Sequence, residues 1–325
     1  MSHILDYRRK LDDLRLRGQH NEGAVSFAFA RLLDSVGESH HLAFSSQYGI
    51  NLPNGAKIIV DGVLTDRLGL AHGYWEAKDS KDDLDKEIKA KIVKGYPTDN
   101  IIFEDTLNAV LYQDDAPVLR IDLADDAALQ HLLDRFFAYL PRAVQDFHEA
   151  KAKFLANLPG VAGELRKLMA VARRDNPDFR EQATAFLAMC QRAIGERFDA
   201  AHVDEMLVQH ILTDSIFRAI FPNARFHEEN HIARAVTALE LTFLRNDTRA
   251  NFLKRMEPYF GAIHRAAQNA ATHAEKQSFL KAVYEDFYTA YNPKDADRLG
   301  VVYTPHEAVR FIIEGCDWLA RNHFN

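Results

Sequence analysis

Cysteine is nearly missing. The 325 residues hold 2 Cys, Cys190 and Cys316, so a disulfide framework and a cysteine-based zinc module are both excluded. Both thiols read as buried apolar residues. No apolar run reaches the roughly 20 residues of a membrane-spanning helix. The start, Met1 to Lys10, is polar and lacks the apolar core of a signal peptide. A cytoplasmic location with no membrane partner is the expectation. Net positive charge is also lacking: 40 Lys plus Arg stand against 47 Asp plus Glu, a formal charge of −7. A chain that grips nucleic acid with its whole surface is basic. DNA binding would here need a local patch, or sequence outside this chain. Internal repeats and low-complexity tracts are absent as well.

What is present reads as two kinds of structure. Hydrophobic residues make up 47% and charged residues 27%, an ordinary globular balance. The length suggests two domains. Residues 5–17 and 21–34 have helical spacing. Residues 41–50, 57–64 and 69–78 are short β-branched or aromatic runs, punctuated by Pro53, Asn54 and Gly55. A charged helix is expected over 82–94, with Leu84, Ile88 and Ile92 four residues apart. Strands follow at 100–104, 109–113 and 118–123. Beyond Asp125 helices take over, at 127–140, 142–158, 161–173, 178–196 and 203–221. Pro141, Pro159, Pro177 and Pro222 separate them. The aromatic-rich stretch 279–291 reads as helical core.

Chemistry concentrates in the first third. Residues 57–61 form an apolar strand ending on Asp61. A second strand carries Glu76 and Lys78. Residues two apart on a strand share a face. Glu76 and Lys78 therefore project together, and Ala77 turns toward the core. If the strands pair, Asp61 comes beside Glu76. Two close carboxylates suit a hard divalent cation such as Mg²⁺. A neighbouring Lys can orient a water or stabilise developing negative charge.

Helix with Glu22, strand ending in Asp61, strand with Glu76 and Lys78, helix, strand: this order resembles the PD-(D/E)xK restriction-endonuclease-like core. The wording Val60-Asp61-Gly62, and Gly73 through Asp79, is similar to the N-terminal nuclease domain of single-chain restriction-modification enzymes of the Type ISP and Type IIG kind. The resemblance implies an α/β (α+β) nuclease core with a mixed sheet, followed by an all-α helical spacer. It implies Mg²⁺, or Mn²⁺, held by Asp61, Glu76 and the Ala77 carbonyl, with Lys78 catalytic and Glu22 assisting. Such families often place a Gln on the next helix, ahead of a Gly-Tyr pair. Gly95 and Tyr96 are present, and Lys91 stands at the Gln position. Lys91, Lys94 and Tyr96 are then candidate DNA contacts.

A second resemblance lies at the far end. Tyr303, Thr304 and Pro305 resemble the opening motif of N6-adenine DNA methyltransferases, where it lines the S-adenosylmethionine pocket. Residues 209–213 are similar to the spacer that precedes that domain. The Gly-containing cofactor loop and the Asn-Pro-Pro-aromatic motif do not follow. S-adenosylmethionine would then bind only in a full-length enzyme.

The expected domains are 1–125 (nuclease), 126–295 (helical spacer or coupler) and 296–325 (start of a truncated methyltransferase). The expected activity is Mg²⁺-dependent cleavage of double-stranded DNA in a restriction system. The partners would be downstream methyltransferase and target-recognition domains, with dimerisation of two nuclease domains. One alternative is a catalytically silent coupling module for a downstream methyltransferase. A remote alternative is a zinc peptidase, because His227, Glu228 and His231 satisfy H-E-x-x-H.

Overall fold

The structure is a computed structural model and describes residues 2–18, 22–52, 54–193, 195–221, 230–244, 253–269, 273–292 and 306–324. Two helices, α1 (Ser2–Leu16) and α2 (Glu22–Ser39), precede three strands, β1 (Ala43–Asn51), β2 (Lys57–Thr65) and β3 (Ala71–Ala77). Helix α3 (Leu84–Val93) leads to β4 (Asn100–Glu104), β5 (Asn108–Gln113) and β6 (Ala116–Asp122). The strands form one sheet in the order β1 to β6. All neighbours are antiparallel except β3 and β4, which run parallel. Parallel neighbours need a crossover, and α3 supplies it. The mixed sheet and the order of its elements follow the sequence reading.

Local chemistry sets the ends of α3. The Asp83 carboxylate accepts the N–H groups of Asp85 and Lys86 at 3.1 and 3.3 Å, capping the start. At the other end Gly95 adopts φ 90°. Its N–H bonds the Ile92 carbonyl at 2.9 Å, and the Tyr96 N–H bonds the Lys91 carbonyl at 3.2 Å. This is the double bond pattern of a Schellman cap, which favours glycine at the left-handed residue. It also ties Tyr96 directly to Lys91.

Both faces of the sheet are covered. On one, Phe29, Leu33, Trp75, Ile102, Leu111 and Phe136 share a core with α1, α2 and α4 (Asp126–Ala138). On the other, Leu84 and Ile88 of α3 pack with Val60, Ile101, Phe103 and Val110. Ile101, Ile102 and Phe103 are fully buried, as befits a central strand covered on both sides.

Helix α4 departs from the expected spacer beginning at 126. Its Leu129, Leu132, Leu133 and Phe136 seal the sheet core. Its last carbonyls, which a helix end leaves without partners, are met by side chains of the sheet. Asn100 Nδ2 donates to the Phe136 carbonyl at 3.1 Å, and Gln113 Nε2 to the Arg135 carbonyl at 3.2 Å. The sheet unit therefore runs through Ala138.

The helical region opens with α5 (Arg142–Asp175), a single helix of 34 residues with Pro159 inside it. Two helices broken at Pro159 were expected. An interior proline costs about 3 kcal/mol. Leu158, Val161, Ala162 and Leu165 around it are all buried in the helical core. Burying each large apolar side chain is worth about 1.5–3 kcal/mol, so packing outweighs the break. Then come α6 (Pro177–Ala193), α7 (Ala200–Ile220), α8 (His231–Phe243), a 3₁₀ turn (Lys254–Met256), α9 (Glu257–Asn269), α10 (His273–Tyr291) and α11 (His306–His323). Phe154 stacks on Tyr259 with ring centroids 4.1 Å apart, and Phe279 and Phe287 of α10 are buried, as the reading of 279–291 expected. Cys190 is buried in this core, whereas Cys316 on α11 is exposed. Among the described residues no helix is long and apolar enough to cross a membrane.

Candidate active site

Side-chain alternation along β1 and β2 changes face partway. Phe44 and Leu64 pack toward α2, whereas Tyr48, Ile50, Ile58 and Val60, all at even positions too, pack toward α3. Ser46 pairs with Gly62 and Tyr48 with Val60, so Gln47 lies across from Asp61. Gln47 holds φ 53°, a conformation that costs a non-glycine residue energy and clusters at functional positions. Asp61 thus sits where the strand pair changes face.

The same spot meets β3. Gly62 pairs with Trp75, which brings Asp61 beside Glu76. The Asp61 N–H donates to Glu76 Oε2 at 3.2 Å, and the Ala77 N–H donates to Asp61 Oδ2 at 3.0 Å. Gln47 Nε2 donates to Asp61 Oδ1 at 3.0 Å. Glu76 is 2% exposed. A carboxylate so buried needs paired charge, and two lysines provide it. Lys78 Nζ lies 2.7 Å from Glu76 Oε1, and Lys91 Nζ bonds the same oxygen. Lys91 also donates to the Tyr96 hydroxyl at 2.9 Å, which donates to the Ile59 carbonyl at 2.7 Å. Burial works against the charged form of Lys91. Its bonds to Glu76 and Tyr96 outweigh that and hold its pKa above the ordinary lysine value.

The structure brings Asp61, Glu76, Ala77 and Lys78 together, with Ala77 turned into the α2-side core. Lys91 and Tyr96, expected as DNA contacts, point inward instead: Lys91 onto Glu76, and Tyr96 buried behind it. The Schellman cap sets this direction. Lys94 remains exposed at the end of α3. Glu22 opens α2, but its side chain lies outside the described residues, as do Tyr303, Thr304 and Pro305.

The H-E-x-x-H reading needs one helix across 227–231. His227 and Glu228 lie outside the described residues. Asn230 has extended backbone and caps α8, so His231 is the first residue of a helix.

Sequence reasoning missed two residues. Gln47 supports Asp61 and is visible only once the β1–β2 register is known. Glu104 ends β4, and its carboxylate accepts the Thr106 N–H at 2.7 Å. Burial pushes its pKa up to about 7, against the pull of the Thr106 amide, while the charges of Asp105 and Asp61 add to the rise. An acidic residue closing an apolar strand, as in Asp61, was the available signal.

The donor set fits a hard divalent ion. Asp61 and Glu76 offer carboxylate oxygens on adjacent strands, the ligand type Mg²⁺ prefers. In this structure Lys78 and Lys91 both pair with Glu76 Oε1.

Comparison with known proteins finds a likeness in the helical region. Residues 156–275 match the family described as the coupler domain of Type ISP restriction-modification enzymes. Among solved structures, the chain is similar to one in a cryo-EM structure of a DrdV–DNA complex, at 40% sequence identity and a TM-score of 0.58. The match covers 99% of this chain and 32% of that one, so the chain spans about a third of that protein's length. No curated protein matches. These likenesses support a part of a restriction-modification enzyme.

Proposed function

We propose that this chain is the cleavage and coupling part of a restriction-modification enzyme, with a Mg²⁺-dependent DNA endonuclease in its sheet unit. The observation that carries the reading is the meeting of Asp61, Glu76 and Lys78 at one point of the sheet. Asp61 and Glu76 would hold the ion, with the Ala77 carbonyl beside them. The ion would lower the pKa of a bound water and offset charge on the phosphodiester.

The chain's own groups do the rest. Gln47 and the Ala77 amide fix the Asp61 carboxylate by one bond to each oxygen. Lys78, one residue past the end of β3, reaches Glu76 Oε1; its ammonium group would orient a water or stabilise negative charge. Lys91 reaches the same Glu76 oxygen from α3. Affinity for DNA would come mainly from elsewhere, since phosphate binding needs basic surface and the chain carries a formal charge of −7.

The test is DNA cleavage by the full-length enzyme in Mg²⁺. Glu76→Gln and Lys78→Ala should each lower cleavage by about 10²-fold or more, with DNA binding retained. Undiminished cleavage by both variants would refute the nuclease reading. The match of residues 156–275 to a coupler family favours the second reading in that event: a silent module that links DNA-bound states to a downstream methyltransferase.

A further inference from the structure

A second group of ligating side chains lies outside the Asp61–Glu76 site. Asp66 follows β2, His72 lies on β3, and His148 lies on α5. One carboxylate oxygen and one imidazole nitrogen from each His all fall within 4.8 Å of one another. Nε2 of His72 is 3.4 Å from Asp66 Oδ2, and Nε2 of His148 is 3.8 Å from the same oxygen. Both separations are longer than the about 2.7–3.2 Å of a sound N–H···O hydrogen bond. They are near the edge of a coordination tetrahedron: with metal–ligand bonds of about 2.0–2.1 Å, two ligand atoms stand about 3.4 Å apart.

The carboxylate is already oriented. Asp66 Oδ1 accepts the N–H groups of Leu68 and Leu70 at 2.8 and 3.0 Å, which turns Oδ2 toward the two imidazoles. Leu68 and Leu70 are buried in the helical core, so the turn is anchored. The His72 carbonyl accepts from Asn100 Nδ2 at 2.8 Å, which anchors its strand. Supporting bonds of this kind fix the ligands of built metal sites. The nearby cations are engaged elsewhere: Arg67 and Lys151 pair with Asp286 at 2.5 and 2.8 Å. The His148 side chain is 42% exposed, which leaves one side of the cluster open to water.

We infer that Asp66, His72 and His148 form a site for a divalent transition-metal ion of the Zn²⁺ kind, with water completing the coordination. Two imidazoles and one carboxylate suit Zn²⁺, Co²⁺ or Ni²⁺ better than Mg²⁺. The ion would staple the strands that carry Asp61 and Glu76 to α5, whose later half enters the segment matching the coupler family. The site stands apart from the nuclease reading and survives its failure.

The test is Zn²⁺ titration of the chelator-stripped full chain by calorimetry, with Co²⁺ absorption as a geometric probe. The expected result is one equivalent bound, with visible Co²⁺ bands of a four-coordinate site. His72→Ala and His148→Ala should each weaken binding at least about tenfold. His231→Ala should leave it unchanged. Because His148 is partly exposed, His148→Ala keeps the fold, which circular dichroism checks. Zn²⁺ should raise the Tm of the parent chain and not that of His148→Ala. Absence of stoichiometric binding, its persistence in His148→Ala, or its loss in His231→Ala would overturn the inference.

Discussion

Lys91 and Glu76 stand fifteen residues apart in sequence and meet at one carboxylate oxygen, the one that Lys78 also holds. The contact exists because the Schellman cap at Gly95 folds Tyr96 back beside Lys91, and the Tyr96 hydroxyl then steers the ammonium. Lys91 is a member of the site, arriving from the helix opposite the strand that carries Glu76.

Its removal should cost stability. Lys91→Met takes one of two cations from a buried carboxylate and should lower unfolding free energy by about 1–3 kcal/mol, read from urea denaturation at pH 7. The folded pKa of Lys91 is raised. Its contribution is therefore complete below the ordinary lysine pKa and fades only as pH climbs through the folded value. The difference between Lys91→Met and the parent should stay constant from pH 6 to 9. A difference that vanished within that range would contradict the pairing.

Gln47 allows backbone and side chain to be separated. Gln47→Gly accepts φ 53° without strain but frees Asp61 Oδ1. Stability should change little, while cleavage by the full-length enzyme should fall about tenfold, measured in single turnovers. Gln47→Val should instead destabilise the fold, since a β-branched residue resists positive φ.

Glu104 sets a pH dependence. Its folded pKa is raised to about 7, so its protonated form favours the fold. That contribution is full below the ordinary glutamate pKa and is lost as pH rises through about 7. Glu104→Gln should therefore gain on the parent as pH rises from 5 to 8, by roughly 1–3 kcal/mol at the upper end. Parallel stability curves for the two proteins would refute the assignment.

The place of α4 makes a prediction about folding units. Phe136 is buried against the sheet, and a Cβ added at Gly73 would collide with its ring. Phe136→Ala should cost about 3–5 kcal/mol, and Gly73→Ala about 1–3 kcal/mol. Thermal unfolding of each variant provides the measurement.

Much of the sheet unit was legible in the sequence. Period-two apolar runs, the Pro53–Gly55 turn and the charged α3 segment dictated strands and helix, because each signal is carried by a few neighbouring residues. The closeness of Asp61 to Glu76 was legible only on the condition that their strands pair, which the β2–β3 register meets. Other features required residues distant in the chain. Pro159 reads as a break, and only burial of Leu158 and Leu165 carries α5 across it. Helix α4 carries an ordinary amphipathic pattern. Which core it covers is decided by the Asn100 and Gln113 side chains that meet its last carbonyls.

The sequence by itself determined which residues are able to carry charge, ligate a metal or end a strand. Tertiary structure alone decided which of them meet. Gln47 reaches Asp61 through hairpin register, Lys91 reaches Glu76 through a glycine cap, and His148 reaches Asp66 from a different structural unit. The physical reason is range: propensity and periodicity act over a few residues, whereas register, capping and helix packing act through contacts that form only when the whole chain buries its apolar faces.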